Sequence, residues 1–118
     1  MKIMKYLIAG SRDFNNYNLL LQVLSQYKKP DIIIEGGARG ADLLGKRFAK
    51  DNNIECQEYK ANWEKFGKSA GYRRNGEMVN QLDKNDIAFI FWDGKSKGTK
   101  HTIDLCNKKN IKTIITYF

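Results

Sequence analysis

The sequence has 118 residues, enough for a single domain (1–118) with its own hydrophobic core and no need of disulfides or structural metals. No apolar run approaches the ~20 residues of a transmembrane helix, and the first ten residues are too short and strand-like for a signal peptide, so we expect no membrane partner. The formal net charge of +8 invites a nucleic-acid role, but most of the lysines are scattered along the chain and favour a solvated surface instead.

Apolar runs of strand length alternate with amphipathic helical segments along the whole chain. In chain order, strands are predicted over residues 3–9, 32–35, 54–59, 86–92 and 111–117. The helices between them are predicted from Asn15 or Asn16 to about residue 27, over 41–51, from about 70 to 82, and after 93–99 to about 109, whereas 60–69 is predicted as a loop.

Strands that are continuous apolar runs separated by helices are typical of a parallel sheet covered on both faces. Right-handed crossovers then predict an α/β, Rossmann-like, doubly wound five-stranded sheet in three αβα layers, with strand order 3-2-1-4-5. Ligands of such sheets bind beyond the carboxyl ends of the strands, where the strand order reverses between the first and fourth strands.

A glycine-rich turn follows the second predicted strand. Gly36, Gly37 and Gly40 allow left-handed backbone and the close approach of a ligand, and Arg39 lies among them. The helix that follows directs its amide groups and positive dipole end to the same place. A tight turn that simply requires glycine is the alternative, but the embedded guanidinium favours an anion site.

The arginines of this chain are placed differently from its lysines. Four of them, Arg12, Arg39, Arg73 and Arg74, lie in or beside turns or helix starts. A planar, permanently charged, bidentate donor suits phosphate recognition. Two further turns, Gly10-Ser11-Arg12 and residues 93–99, also follow predicted strands, so every glycine-rich turn after a strand is expected at one edge of the sheet.

Several common motifs are missing. The sequences Gly67-Lys68-Ser69 and Gly94-Lys95-Ser96 lack the preceding glycine of a Walker loop, and no G-x-G-x-x-G follows the first strand. His101 is isolated, and no His, Cys and carboxylate residues have metal-ligand spacing. We therefore expect neither a cofactor nor a metal. Two distant cysteines, Cys56 and Cys106, are expected to be buried thiols in a reducing cytoplasm.

Four motifs together resemble those of small SLOG-superfamily proteins, and most closely their YspA/YpsA-related branch. They are Gly10-Ser11-Arg12-Asp13-Phe14, residues 36–42, Trp63 with residues 67–71 and Arg74-Asn75…Met78, and residues 93–99. The superfamily also includes the Lonely Guy phosphoribohydrolases and the DprA DNA-binding proteins, to which this branch is distantly similar. The resemblance implies a Rossmann-like fold that binds a nucleotide or nucleotide-derived ligand such as an ADP-ribose-like molecule.

The turns and the resemblance together define the expected ligand site. The phosphate-binding and neighbouring ligand-binding residues are expected to be Gly10, Ser11, Arg12, Gly36, Gly37, Arg39, Gly40, Arg74, Asn75, Gly98 and Thr99. Asp42 or Asp93 is expected to accept ribose hydroxyls, although Asp42 is equally suited to stabilise the first turn of its helix. Trp63, Phe66 and Tyr72 are the candidates for stacking on a base.

Two other functions remain open. In the phosphoribohydrolase branch, a glutamate after the last glycine turn helps to cleave the N-glycosidic bond, and here Thr102 occupies that position. Threonine cannot act as an acid at neutral pH. An N-glycosidic hydrolase or transferase would therefore need Arg74 with a carboxylate such as Glu77 or Asp93. A single-stranded nucleic-acid binder would use the lysines and exposed aromatic rings.

A homo-oligomer, most simply a dimer, is also expected. The last two strands end in bulky residues, Phe91, Trp92, Tyr117 and Phe118, and a small domain has limited interior in which to bury them.

Overall fold

The computed structural model describes residues 2–118. Its strands and helices are β1 (Lys5–Gly10), α1 (Tyr17–Leu24), β2 (Ile32–Glu35), α2 (Ala41–Asp51), β3 (Glu55–Glu58), α3 (Trp63–Phe66), α4 (Ala70–Asn80), β4 (Ile87–Trp92), α5 (Lys97–Lys108) and β5 (Lys112–Tyr117). A single 3₁₀ turn, Gly67–Ser69, joins α3 to α4.

The five strands form one parallel sheet in the order β3-β2-β1-β4-β5, which confirms the predicted topology. β1 lies at the centre, and its Tyr6 is paired with Ile33 of β2 on one side and Ile87 of β4 on the other. The strand order reverses between β1 and β4, so the crevice that this fold uses for ligands lies beyond the carboxyl ends of these two strands.

Alternate residues of the central strands enter two separate hydrophobic cores, because successive side chains point to opposite faces of a sheet. Tyr6 and Ile8 of β1 pack in one core with residues of α1 and α2. Leu7 and Ala9 pack in the other with residues of α4 and α5. The protein is therefore the three-layer α/β fold that the strand pattern predicts.

Helix α2 lies unusually close to the sheet. Gly45 faces β1, and a Cβ at this position would be only 2.8 Å from the Cβ of Ile8. The close approach brings the first residue of α2 to the end of β1, where the Ala41 amide donates to the Ser11 carbonyl oxygen at 3.4 Å. The β1–α1 and β2–α2 turns are thus in direct contact.

Two local predictions were wrong. The segment 60–69 is not all loop, because Asn62 caps α3 by accepting a hydrogen bond from the Lys65 amide at 3.0 Å. A helix of four residues is too short to show a periodic pattern. Phe91 is not a surface residue: it is fully buried and stacks on Phe14, with ring centroids 4.5 Å apart, because the β1–α1 segment covers the end of β4.

The bulky residues at the ends of β4 and β5 are therefore not all available for self-association. Trp92 is half-buried, and its indole N–H donates to the Ser96 carbonyl oxygen at 3.1 Å. Tyr117 and Phe118 remain exposed. Dimerisation stays a prediction and now rests mainly on these last two residues. Across residues 2–118, no helix combines the length and apolar character needed to cross a membrane.

Candidate functional site

A cleft opens where the strand order reverses. It has a volume of about 540 Å³, and its walls come from the β1–α1 turn, the β2–α2 turn, the α3–α4 segment and the β4–α5 turn; we call it the main cleft. A second hollow of about 430 Å³, the side cavity, adjoins it over the β2–α2 turn. The two share Arg12, Ala38, Arg39, Trp63 and Arg74.

Most of the residues that the sequence assigned to a ligand site do line these two spaces. The main cleft contains Gly10, Ser11, Arg12, Arg39, Asp42, Trp63, Tyr72, Arg74, Asn75, Asp93, Gly98 and Thr99. Gly36 and Gly37 line the side cavity only. Gly40, Phe66 and Glu77 line neither. Gly40 instead packs against the backbone of the β1–α1 turn, and Glu77 lies exposed on α4.

Three arginines from three separate segments border both spaces. Arg12 is exposed on the β1–α1 turn, and the Arg39 side chain is 74% exposed, with one nitrogen 3.8 Å from an Asp13 carboxylate oxygen. Arg74 is held more firmly, since it donates to the Gly36 carbonyl oxygen and, at 3.0 Å, to the Asn75 side-chain oxygen. Two of these guanidinium groups are therefore nearly free, and one is fixed in place.

Two amides of the glycine-rich β2–α2 turn already have carboxylate partners within the protein. The Gly37 amide donates to Glu35 Oε1 at 2.6 Å, and the Ala38 amide donates to Asp42 Oδ2 at 3.2 Å. These two groups are consequently not free to bind phosphate. Of the groups expected to bind an anion at this turn, the Arg39 guanidinium remains largely exposed, whereas the pairing of these two amides is a feature that sequence reasoning missed.

Asp42 is both a structural and a cleft residue. It is only 5% exposed, and this burial raises the pKa of its carboxyl to about 6, although the Ala38 amide and the nearby Arg74 charge oppose the rise. Its carboxyl lines the main cleft while it holds the turn. A carboxyl that titrates near neutrality beside a fixed guanidinium is able to exchange a proton there.

Glu35 is a buried acidic residue that the sequence analysis did not single out. Burial, and then the hydrogen bond it shares with Glu58, raise the pKa of its carboxyl. The Cys56 thiol donates to it at 3.7 Å, and burial together with the neighbouring Glu35 raises the pKa of that thiol to about 12. Cys106 is fully buried, as expected, whereas Cys56 is half-buried. The position of Glu35 at the end of an apolar strand is the sequence feature that could have indicated a buried carboxyl.

The β4–α5 turn is organised by Asp93. Its Oδ1 accepts hydrogen bonds from the Lys95 and Ser96 amides, both at 2.8 Å, and its own amide donates to the Ser11 hydroxyl oxygen at 3.1 Å. The Ser96 and Lys95 amides hold the pKa of Asp93 below its usual value. Ser96 then caps α5 by accepting from the Thr99 amide at 3.3 Å.

The wall formed by α4 and α5 is tied together by Asn75. Its side-chain amide donates to the Gly98 carbonyl oxygen at 3.3 Å and lies 3.2 Å from His101 Nδ1. The Tyr72 ring lies against the His101 imidazole, with centroids 4.4 Å apart. Thr102 is buried and donates to Gly98 at 3.4 Å, so its hydroxyl is used within its own helix. Nothing in the sequence pattern singled out the position of His101 beside Asn75.

Two of the three aromatic candidates reach the main cleft. Trp63 and Tyr72 line it, and each is about half exposed. Phe66 lies outside it, with the Arg73 guanidinium 4.4 Å from its ring. Within residues 2–118, no group of three or more His, Cys, Asp or Glu side chains is arranged to hold a metal ion.

Comparison with known proteins places these turns in a family. The model of the YAcAr family, described as the YspA, cpYpsA-related SLOG family, matches residues 4–66, which include the turns that carry Arg12 and Arg39. The chain is also 33% identical over 119 aligned residues to the Gene 61 protein of Mycobacterium phage D29, an alignment that covers 93% of this chain and 94% of that protein. No solved structure matches. The chain belongs to the YspA, cpYpsA-related SLOG family.

Proposed function

We propose that the main cleft binds a nucleotide or a small molecule derived from a nucleotide sugar, for sensing or sequestration. Membership of a SLOG family indicates nucleotide-related binding or modification. The observation that carries the finer proposal is the meeting of Arg12, Arg39 and Arg74, from three different segments, beside two half-exposed aromatic rings. Guanidinium groups bind phosphate oxygens bidentately, and aromatic rings stack on bases.

The phosphate groups belong at the arginines in this proposal. Arg12 and Arg39 are exposed and able to turn towards an anion, while the anchored Arg74 supplies a fixed charge in the same cleft. Ser11 serves mainly to hold the turns together, because its hydroxyl oxygen accepts a hydrogen bond from the Asp93 amide and its O–H contributes to the lowered pKa of the Asp93 carboxylate. The arginine side chains replace the turn amides that Glu35 and Asp42 already occupy.

The nucleoside belongs against the α3–α4 wall. Trp63 and Tyr72 present half-exposed rings there, and stacking of a base on such a ring contributes roughly 1–3 kcal/mol. Asp42 and Asp93 lie in the same cleft as acceptors for ribose hydroxyls. This arrangement gives each part of a nucleotide a chemically matched group of side chains.

Replacement of Arg39 tests the proposal. Loss of a charge-assisted hydrogen bond weakens binding by about 1.5–3 kcal/mol, so Arg39→Ala is expected to bind AMP and ADP-ribose roughly ten- to a hundredfold less tightly in calorimetric titration. Folding should change little, because the side chain is 74% exposed and its contact with Asp13 lies on the surface. The exposed Lys50, on α2 away from the cleft, provides the matched control Lys50→Ala.

Ligand-dependent stability gives a second measurement on the same proteins. A ligand at a hundred times its dissociation constant stabilises the wild type by about 2.7 kcal/mol, and Arg39→Ala should gain much less at the same concentration. Equal ligand stabilisation of the two proteins would remove Arg39 from the site and contradict the proposal.

One observation favours a hydrolase as the second candidate. Asp42 lines the main cleft with a pKa of about 6 next to Arg74, the combination that an acid catalyst of N-glycosidic cleavage needs. The other carboxylates considered fit less well, because Glu77 lies outside the cleft and Asp93 holds two amides. A binder leaves AMP intact. Release of free base, followed by chromatography and abolished in Arg74→Ala, would establish the hydrolase instead.

The salt dependence of binding distinguishes a single-stranded nucleic-acid binder from a mononucleotide binder. Binding through scattered lysines weakens steeply as salt concentration rises, because each neutralised phosphate releases counterions. A mononucleotide held in the arginine cleft loses much less affinity over the same range. Tight, salt-sensitive binding of an oligonucleotide with no binding of AMP would favour the nucleic-acid function.

A further inference from the structure

The side cavity is a second cationic space next to the proposed phosphate site. We infer that the ligand is a nucleoside 5′-diphosphate or triphosphate, whose terminal phosphate lies in the side cavity and is bound by Lys60. This inference rests on the proposed function and specifies the ligand class for the same site. It adds one residue, outside the main cleft, that distinguishes polyphosphates from monophosphates.

A phosphate chain that extends from the main cleft into the side cavity would pass the residues that the two spaces share. Arg12, Arg39 and Arg74 line both the main cleft and the side cavity, so a group at these guanidiniums contacts both spaces. A phosphate chain attached to a nucleoside in the main cleft is therefore able to extend past these guanidiniums into the adjoining side cavity. Permanent positive charge along this border suits a chain with one negative charge or more per phosphate.

The charged side chains that line the side cavity are all positive. Besides the three arginines, Lys60 lines it, and none of its lining residues is an aspartate or a glutamate. The remaining lining comes from the Gly36–Ala38 backbone, Ala61 and Trp63. A phosphate group complements this positive lining better than a neutral sugar does.

Lys60 is held over the turn by a glycine. Gly37 has φ +73°, and a Cβ at this position would be 3.1 Å from Lys60 Cγ and 3.2 Å from Glu58 Cδ. The bare glycine thus lets the lysine stem lie across the turn, which places its ammonium group beside the cavity. A glycine here serves a close approach as well as the left-handed backbone.

The ammonium group of Lys60 is available to a ligand. Its Nζ is 3.6 Å from Glu58 Oε1, and its side chain is 77% exposed, so this ion pair is weak. Glu58 has a second cationic partner, Lys46, 3.3 Å from its other oxygen. Lys60 can therefore leave Glu58 for a phosphate without stranding an unpaired carboxylate.

Lysine substitutions on the two sides of the arginine border test the inference. Lys60 lines only the side cavity and Lys68 only the main cleft, and both are exposed. Calorimetric titrations with AMP, ADP and ATP, without divalent cations, are carried out on the wild type, Lys60→Ala and Lys68→Ala. Circular dichroism and thermal unfolding establish that each variant is folded.

We expect the wild type to bind ADP or ATP more tightly than AMP. Lys60→Ala should lose roughly tenfold in affinity for the polyphosphate and stay within about twofold for AMP, whereas Lys68→Ala should change all three affinities by the same factor. Lys60→Arg, which retains the charge, should recover most of the loss.

The possible failures are distinguishable. If AMP binds in an Arg39-dependent manner, but additional phosphates add no affinity and Lys60→Ala changes nothing, the inference is wrong and the proposed function stands. If none of the three nucleotides binds, the inference fails, and if ADP-ribose does not bind either, the proposed function fails with it. An equal loss for AMP and ATP in Lys60→Ala also contradicts the inference, because it removes the distinction between the two spaces.

Discussion

The β2–α2 and β4–α5 turns use the same local bonding in opposite surroundings. In each turn a carboxylate accepts backbone amides: Asp42 and Glu35 in the first, Asp93 in the second. Burial raises the pKa of Asp42 to about 6, whereas the amides hold the pKa of the solvent-facing Asp93 below its usual value. Burial, and not the turn itself, therefore sets the direction in which the pKa of such a carboxylate is shifted.

The comparison also explains how this edge of the sheet can attract anions. Glycine-rich turns after parallel strands often present free amides to phosphate, but here both turns satisfy amides with their own carboxylates. In the proposed nucleotide site, the positive charge therefore comes mainly from side chains, above all from Arg12, Arg39 and Arg74 at the border of the two cavities.

The largest expected difference between the turns concerns their glycines. Gly40 has φ +89°, and a Cβ there would collide with the carbonyl oxygens of Ser11 and Arg12. Gly98, in the first turn of α5, has nothing within 4 Å of the same position. Gly40→Ala should therefore lose about 2–3 kcal/mol or more in the free energy of unfolding, and Gly98→Ala should change by zero to about 1 kcal/mol towards greater stability.

Urea unfolding without ligand measures the free energy of unfolding of Gly40→Ala and Gly98→Ala. Backbone oxygens cannot move aside as a flexible side chain does. The clash of a Cβ at position 40 therefore lowers the stability of the fold without a small local rearrangement that could remove it. Similar stabilities of the two variants would mean that the β1–α1 and β2–α2 turns are not packed together as described.

The pH dependence of stability should differ in sign between the two aspartates. The folded-state pKa of Asp42 is raised from 3.8 to about 6, so its contribution to stability is full below pH 3.8 and is lost as pH rises through about 6. A difference of about two pKa units corresponds to at most about 3 kcal/mol. Relative to Asp42→Asn, the wild type should become less stable over this range.

Asp93→Asn sharpens the contrast. The pKa of Asp93 is lowered in the fold, so its contribution is present above the ordinary value of 3.8 and is lost as pH falls through the folded-state pKa. Relative to this variant, the wild type should become more stable as pH rises through the acid range. Chemical denaturation at a series of pH values measures both, and slopes of the same sign would refute the proposed effect of burial.

The smallest expected effect concerns helix capping. Ser96 accepts a hydrogen bond from the Thr99 amide at the start of α5, whereas Gly40 at the start of α2 has no side chain with which to cap. Ser96→Ala should lower the free energy of unfolding by about 1 kcal/mol, and Ser96→Gly by only a few tenths. No loss for Ser96→Ala in thermal unfolding would show that the capping hydrogen bond contributes nothing to stability.

The fold was predictable because its signals are local and repeated. Four crossovers between apolar runs determine a parallel sheet, and handedness then leaves few strand orders. The short α3 was not predictable, because four residues are too few to show a helical hydrophobic period. The burial of Phe91 was not predictable either, because it depends on how residues 11–16 fold back over the sheet. The arginines of the candidate site were found from their turns. The carboxylates that bind the turn amides could not be predicted, because whether a carboxylate faces inward depends on tertiary packing.

Amide chemical-shift mapping with AMP tests the central claim most directly. The proposed nucleotide site predicts shifts that concentrate at residues 10–12, 38–42, 71–75 and 98–102, which surround the main cleft. Arg39→Ala should weaken these shifts without moving them elsewhere. Shifts that instead concentrate at the lysine pairs 28–29 and 108–109, or no shifts at millimolar AMP, would contradict the account.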